Sequence, residues 1–117
     1  MKKEYIKSLL ISIAEEESLD WLYKNEVENQ FISLLDLKKI IYYLISKNIM
    51  QLNSYNNKEY IVETNLQEIL ENQKNWEDKN QKYTTNLTEI GFDYFNDKKY
   101  CEEIDNGAFP DFEVIKK

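Results

Sequence analysis

The chain has 117 residues and a net charge of −7, with 22 aspartates and glutamates against 15 lysines. It contains no histidine, no arginine, one cysteine and two glycines. Without histidine, Ser-His-Asp and Cys-His catalytic sites and nearly all zinc sites are excluded. One cysteine cannot form an intramolecular disulfide, and two glycines cannot build a glycine-rich phosphate loop. We therefore expect a single non-catalytic domain that holds neither a cofactor nor a metal.

The first part of the chain predicts three helices. An apolar stripe at helical spacing predicts the first helix over residues 2–17 and consists of Ile6, Leu9, Leu10 and Ile13. Ser18 is the expected N-cap of a shorter helix that ends near Asn29. Ser33 is the expected N-cap of the third helix, which should end near residues 47–48. The third helix buries a continuous seam formed by Leu37, Ile40, Ile41 and Leu44.

After residue 48 the hydrophobic period changes from helical to extended. Residues 49–52 and 60–62, on either side of a polar run, predict two strands and a turn. Thr64 and Gln67 have the spacing of a capping box and predict a helix to about Asp78. A third strand is expected over residues 83–86, and a last helix begins near Thr88. We assign residues 1–98 to the body and 99–117 to a C-terminal extension, whose segment 108–112 packs on the body.

No stretch reaches the roughly 18 consecutive apolar residues that a membrane-spanning helix requires. The Met1-Lys2-Lys3 start has Glu4, Lys7 and Ser8 where a signal peptide would be apolar or positively charged. We therefore expect a cytoplasmic protein without a membrane partner.

Three helices followed by a β-hairpin is an order of elements that resembles the winged helix-turn-helix family. Residues 37–52 resemble the recognition helix of that family running into its first wing strand. The sequence Leu87-Thr-Glu-Ile-Gly91 resembles the Leu-Thr-x-x-Gly that often opens a helix after the wing in bacterial regulators. An extra predicted helix separates the two here. The expected fold is therefore α+β and mostly helical, winged-helix-like, with three N-terminal helices, a hairpin and two further helices.

The resemblance implies one function, that of a dimeric transcriptional regulator whose third helix enters the major groove of DNA. The DNA contacts it implies are Lys38, Lys39, Tyr43, Lys47 and Lys58. A net charge of −7 opposes this function, because DNA affinity depends mainly on neutralising phosphates. The regulator hypothesis therefore requires these lysines to form one positive surface, with the acidic residues elsewhere.

The acidic composition favours another function. In size and charge the chain is similar to bacterial immunity proteins, which are small acidic proteins without catalytic residues that block a toxic nuclease. In such a complex carboxylates replace the substrate phosphates against the basic side chains of the toxin, and exposed tyrosines supply packed contacts. The predicted contacts are Glu15, Glu16, Glu17, Tyr42, Tyr43, Tyr55, Glu102, Glu103 and Asp105. We prefer this immunity or antitoxin-type inhibitor over the regulator. An inhibitor that mimics DNA would use the same acidic contacts and would differ only in its target. The oligomeric state is left open.

Overall fold

The computed structural model describes residues 1–56, 59–77, 79 and 82–115. In this part of the chain seven α-helices accompany a three-stranded antiparallel sheet, so the expected α+β, mostly helical class is confirmed. The elements are α1 (Lys2–Ala14), α2 (Leu19–Leu22), α3 (Leu34–Ser46), β1 (Met50–Asn56), β2 (Glu59–Val62), α4 (Leu66–Leu70), α5 (Gln73–Glu77), β3 (Tyr83–Leu87), α6 (Glu89–Asn96) and α7 (Lys99–Asn106). A π-helical turn, Tyr23–Glu28, extends α2.

The core lies between α1, α3 and the inner face of the sheet. Ser18 and Ser33 cap α2 and α3 as predicted, because their hydroxyls accept the N–H groups of Trp21 and Asp36. The predicted apolar stripes of α1 and α3 are confirmed, since every member is buried; they are Ile6, Leu9, Leu10, Ile13, Leu37, Ile40, Ile41 and Leu44. Met50 and Leu52 of β1 close the core from the sheet.

The sheet has the order β2-β1-β3. The outer edge of β3 is partly covered by another segment, whereas the outer edge of β2 is open. On the outer side of β3, Thr84 bridges to Ser18, and the Glu17 carbonyl accepts the N–H and the hydroxyl of Thr85 at 3.0 and 2.8 Å. The segment between α1 and α2 therefore covers part of that edge. No described element pairs with the outer side of β2, which is the open edge of the sheet.

Several predicted boundaries are wrong. Helix α1 ends at Ala14, and Glu16 has a left-handed backbone with φ of 62°, which ends the helix before the acidic run. The single helix predicted over 65–78 is two short helices, α4 and α5, and Asn65 rather than Thr64 is the N-cap. Among the described residues, four helices therefore follow the hairpin instead of two.

The C-terminal extension contains a helix, α7, that the sequence did not predict. Its inner face carries Tyr100 and Glu103, and the Glu103 carboxylate accepts the hydroxyl of Tyr94 at 2.5 Å. A carboxylate on the inner face interrupts the apolar periodicity that would have revealed the helix. The expected packing of residues 108–112 is confirmed, because Phe109 and Phe112 are both buried.

The Leu-Thr-x-x-Gly sequence has a clear physical role. Leu87 is buried at the end of β3, and Thr88 is the N-cap of α6. The Thr88 hydroxyl accepts the N–H of Gly91 at 2.9 Å and donates to the carbonyl of Asn48 at 2.6 Å. Because a Cβ atom on Gly91 would lie 2.0 Å from the carbonyl oxygen of Ile49, only glycine fits here. The motif joins α6 to the turn between α3 and β1.

A carboxyl group, that of Glu26, is buried beside α1. It is 7% exposed and accepts the hydroxyl of Tyr5 at 3.2 Å. Burial raises the pKa of Glu26, and the hydrogen bond from Tyr5 only partly opposes this rise. A carboxyl whose pKa is raised by folding stabilises the protein at pH values below its unfolded pKa, and this contribution is lost as the pH rises through the folded pKa.

We expect Glu26→Gln to stabilise the protein at pH 7 by about 1 kcal/mol, because a neutral amide replaces a desolvated charge and can still accept the Tyr5 hydroxyl. The gain should shrink toward pH 4.5, where Glu26 itself takes up a proton. Urea unfolding at both pH values measures the difference. Glu28→Gln, on the exposed side of the same turn, is the control and should change little. A Glu26→Gln variant that is less stable than wild type at both pH values would contradict the prediction.

Candidate functional site

One face of the sheet points away from the core, and we call it the sheet face. It is exposed at Tyr55, Tyr60 and Val62, whereas Asn53 at its centre is buried. Side chains alternate along each strand, so the register assigns the sheet face to Gln51, Asn53, Tyr55, Tyr60, Val62, Thr84 and Asn86. Glu16 lies at its border and lines, with six of these residues, a shallow depression of about 250 Å³. The sheet face is therefore formed by residues of three strands, and the turn after α1 lies at its border.

The sheet face is aromatic at one end and amide-rich at its centre. Tyr55 and Tyr60 lie opposite each other on β1 and β2, with ring centroids 5.1 Å apart. Their exposed fractions are 59% and 72%, and that of Val62 is 50%. At the centre the Asn53 side-chain amide donates to that of Asn86. Exposed tyrosines beside hydrogen-bonding amides are typical of surfaces that bind other proteins.

The acidic turn formed by Glu15, Glu16 and Glu17 borders the sheet face. Glu15 and Glu16 are exposed and Glu17 is half-buried. Partial burial, and secondly the charge of Glu15, raise the pKa of Glu17. None of the ion pairs among the described residues involves this turn. Its negative charge is therefore available to a partner.

The other predicted acidic contacts lie elsewhere. Glu102, Glu103 and Asp105 are on α7, where Asp105 pairs with Lys3 at 2.8 Å and Glu103 binds Tyr94. Lys3 lies in the first turn of α1, whereas the acidic turn follows its last residue. A 13-residue helix is about 20 Å long, so this distance separates the two acidic groups. The predicted acidic residues do not converge on one surface.

The two predicted tyrosines of α3 are engaged within the protein. The Tyr42 hydroxyl donates to Glu71 at 3.2 Å. The Tyr43 ring packs edge-on against Phe109, with centroids 5.1 Å apart. Burial of its hydroxyl, next to the Glu103 carboxylate, raises the pKa of Tyr43 to about 12. Neither tyrosine lies on the sheet face. Of the predicted contacts, Tyr55 lies on the sheet face and Glu16 lies at its border, beside Tyr60 rather than Tyr55.

The lysines named for DNA binding are also largely occupied. Lys38 pairs with Glu71 at 3.0 Å, and this contact lowers the pKa of the Glu71 carboxyl. Lys39 pairs with Asp36 at 3.3 Å. Lys47 lies 5.8 Å from the ring centroid of Tyr43. Lys58 lies outside the described residues.

The C-terminal extension also contacts α3. The backbone N–H of Glu113 donates to the Asp36 carboxylate at 3.1 Å, and Phe109 packs on Tyr43. Asp36 and Tyr43 are seven residues apart and so lie on one side of the helix. The side of α3 that carries them is therefore covered by the extension.

Tyr60 and Val62 belong to the sheet face but were not predicted as contacts. The β1–β2 register pairs Tyr55 with Tyr60 and Asn56 with Glu59. A hairpin register centred on the polar run between the two predicted strands was the signal that could have found the Tyr55–Tyr60 pair. Two further exposed apolar side chains, Ile90 and Phe92, lie on α6.

Among the described residues, no three His, Cys, Asp or Glu side chains are grouped so that they could hold a metal ion. None of the described helices combines the length and the apolar character needed to cross a membrane. The chain was also compared with known proteins, and no family model, curated protein or solved structure matches it.

Proposed function

We propose that this protein is a non-catalytic acidic binding protein of the immunity or antitoxin type, which inhibits a basic nuclease toxin by binding to it. The observation that carries the proposal is the exposed Tyr55–Tyr60 pair on a surface bordered by Glu16, whose carboxylate has no ion pair within the described part of the chain. Tyrosine supplies a large contact area in protein interfaces, and carboxylates complement a basic partner.

The acidic turn and the tyrosine pair would have different roles in this complex. Glu15 and Glu16 would occupy the place of substrate phosphates against the lysines and arginines of the toxin. Tyr55 and Tyr60 would bury their rings against it and slow dissociation. The net charge of −7 would speed the encounter with a basic protein.

We also infer a winged-helix-like arrangement, supported by three N-terminal helices, of which α3 leads directly into the β1–β2 hairpin. Reuse of this fold for protein binding has more support than DNA recognition. Lys38 and Lys39 are paired with acids, and the C-terminal extension covers one side of α3. Little positive charge is left on that helix to neutralise phosphates.

The proposal is tested by capturing the partner and measuring its inhibition. Immobilised protein should retain a basic protein from a lysate of the source organism, and the purified partner should lose nuclease activity when one equivalent of this chain is added. Tyr60→Ala should weaken the complex by at least about tenfold, the effect of losing a central aromatic contact. Phe92→Ala is the matched control, because Phe92 is also an exposed aromatic but lies on α6.

Two results would overturn the proposal. The first is micromolar binding to random duplex DNA, measured by fluorescence anisotropy, that weakens steeply between about 50 and 200 mM salt, as phosphate neutralisation requires. The second is a captured partner that has no nuclease activity, or whose activity this chain leaves unchanged. Equal inhibition by wild type and Tyr60→Ala would show that the partner does not bind to the sheet face.

A further inference from the structure

The open edge of β2 has backbone groups that point away from the sheet. The N–H of Glu63 donates to the carbonyl of Leu52 at 2.8 Å, and the β1–β2 register continues from this pair. Hydrogen-bonded and non-hydrogen-bonded pairs alternate in an antiparallel ladder. Glu59, Ile61 and Glu63 therefore direct their backbone groups toward β1, whereas Tyr60 and Val62 direct theirs outward.

This edge is also accessible and apolar. Tyr60, Ile61 and Val62 are 72%, 43% and 50% exposed. The opposite edge of the sheet is partly closed, because Ser18 bridges to β3. An accessible edge with free N–H and C=O groups is a template for the addition of an extended strand.

The charges along β2 indicate what kind of strand can be added. Glu59 of β2 and Glu63, the residue after its end, lie on either side of Ile61 on the same face. The Glu63 carboxylate also accepts the hydroxyl of Ser54 at 2.5 Å. If a second copy paired antiparallel through the outward groups of Tyr60 and Val62, Glu59 of one copy would face Glu63 of the other at both ends. Like charges placed directly opposite each other in a sheet are destabilising, so self-pairing is disfavoured. A strand that carries cations at these two positions would instead be stabilised.

We propose that the β2 edge receives an extended segment of a partner protein with the pattern cation–x–apolar–x–cation. The apolar residue would lie opposite Ile61, the two cations opposite Glu59 and Glu63, and the backbone would pair with Tyr60 and Val62. The identity of the segment rests on the proposed function, since it would belong to the basic toxin. The β2 edge and the sheet face would then form one continuous interface, with Tyr60 belonging to both.

A substitution at Val62 tests the edge itself. Val62→Pro removes the outward N–H but leaves the hydrogen bonds with β1, which use Glu59, Ile61 and Glu63, and proline is tolerated on edge strands. Val62→Thr is the matched control, because it keeps both the N–H and the branched side chain. The probe is a fluorescein-labelled peptide, Ser-Lys-Thr-Val-Thr-Lys-Ser, and the comparison peptide has glutamate in place of both lysines.

We expect the lysine peptide to bind wild type and Val62→Thr equally, and to bind Val62→Pro about tenfold or more weakly, because one backbone hydrogen bond is lost and its partner carbonyl is left unpaired. The glutamate peptide should bind wild type about tenfold or more weakly than the lysine peptide. Hydrogen exchange on the wild-type protein provides a measurement without any substitution, and the lysine peptide should protect the amides of Tyr60 and Val62.

Undiminished binding of the peptide to Val62→Pro, or no protection of these two amides, would overturn the inference, as would no binding at millimolar peptide. The outcomes also separate it from the proposed function. A basic nuclease that is inhibited equally by wild type and Val62→Pro would leave the function standing and remove the strand addition. Binding of the lysine peptide at the β2 edge, with no nuclease found as a partner, would support strand addition and contradict the proposed function.

Discussion

Replacing Trp76 with alanine is expected to lower the free energy of unfolding by about 3–5 kcal/mol. Trp76 is fully buried, and its indole N–H donates to the carbonyl of Leu70 at 2.8 Å. Helices α4 and α5 have five residues each and are too short to be stable alone, so tertiary packing must hold them. Helix α5 packs against α2. The substitution would leave a cavity in the core and remove the hydrogen bond to α4.

Urea unfolding followed by circular dichroism measures this loss, and Trp76→Phe separates its two causes. Phenylalanine keeps most of the apolar contact but leaves the Leu70 carbonyl without its donor, which should cost about 1–3 kcal/mol. A loss below about 1 kcal/mol for the alanine variant would show that the α4–α5 segment is not part of the cooperative core.

Replacing Gly91 with alanine should cost about 3 kcal/mol, although alanine is normally the better helix former. The new methyl group would lie 2.0 Å from the carbonyl oxygen of Ile49. Helix α6 cannot easily move away, because the Thr88 hydroxyl fixes its N-terminus to the carbonyl of Asn48. The steric conflict must therefore be relieved by breaking this junction.

Gly107→Ala is the matched control for Gly91→Ala. Gly107 has φ of 80°, but a Cβ atom there would meet no heavy atom within 4 Å. Its replacement should therefore cost only the left-handed backbone penalty, about 1 kcal/mol. Thermal or urea unfolding of both variants gives the comparison. Equal losses for the two variants would show that close approach to Ile49 is not what selects glycine at position 91.

Local periodicity was sufficient to predict the parts of the fold that bury a regular apolar stripe. The seam of α3, beginning after the Ser33 N-cap, is one example, and the Thr88 start of α6 is another. The same approach missed α7, because its inner face includes the Glu103 carboxylate, which is satisfied by the hydroxyl of Tyr94 on another helix. A hydrogen bond between helices leaves no periodic signal.

The candidate site depended on pairings that are distant in sequence. Tyr55 was predicted as a contact from its exposed position, yet its partnership with Tyr60 follows from the hairpin register. The approach of Glu16 to β3 depends on the hydrogen bonds of Glu17 with Thr85, 68 residues apart. The acids of α7 were grouped with Glu16 by charge alone, although α1 separates them. Charge composition indicates a kind of partner, whereas only the tertiary structure indicates where it binds.

The packing of Phe112 against Tyr5 has a consequence for how the protein is made. About a hundred residues separate the two rings, and a ribosome needs roughly 5–20 s to add that many. The stretch that becomes α1 therefore leaves the ribosome seconds before the segment that covers it. A helix of 13 residues is marginal on its own, so α1 becomes stable only when its apolar side is packed. Non-local contacts of this kind also slow the final closure of the core. During synthesis the cell must therefore keep this apolar stretch from aggregating for several seconds.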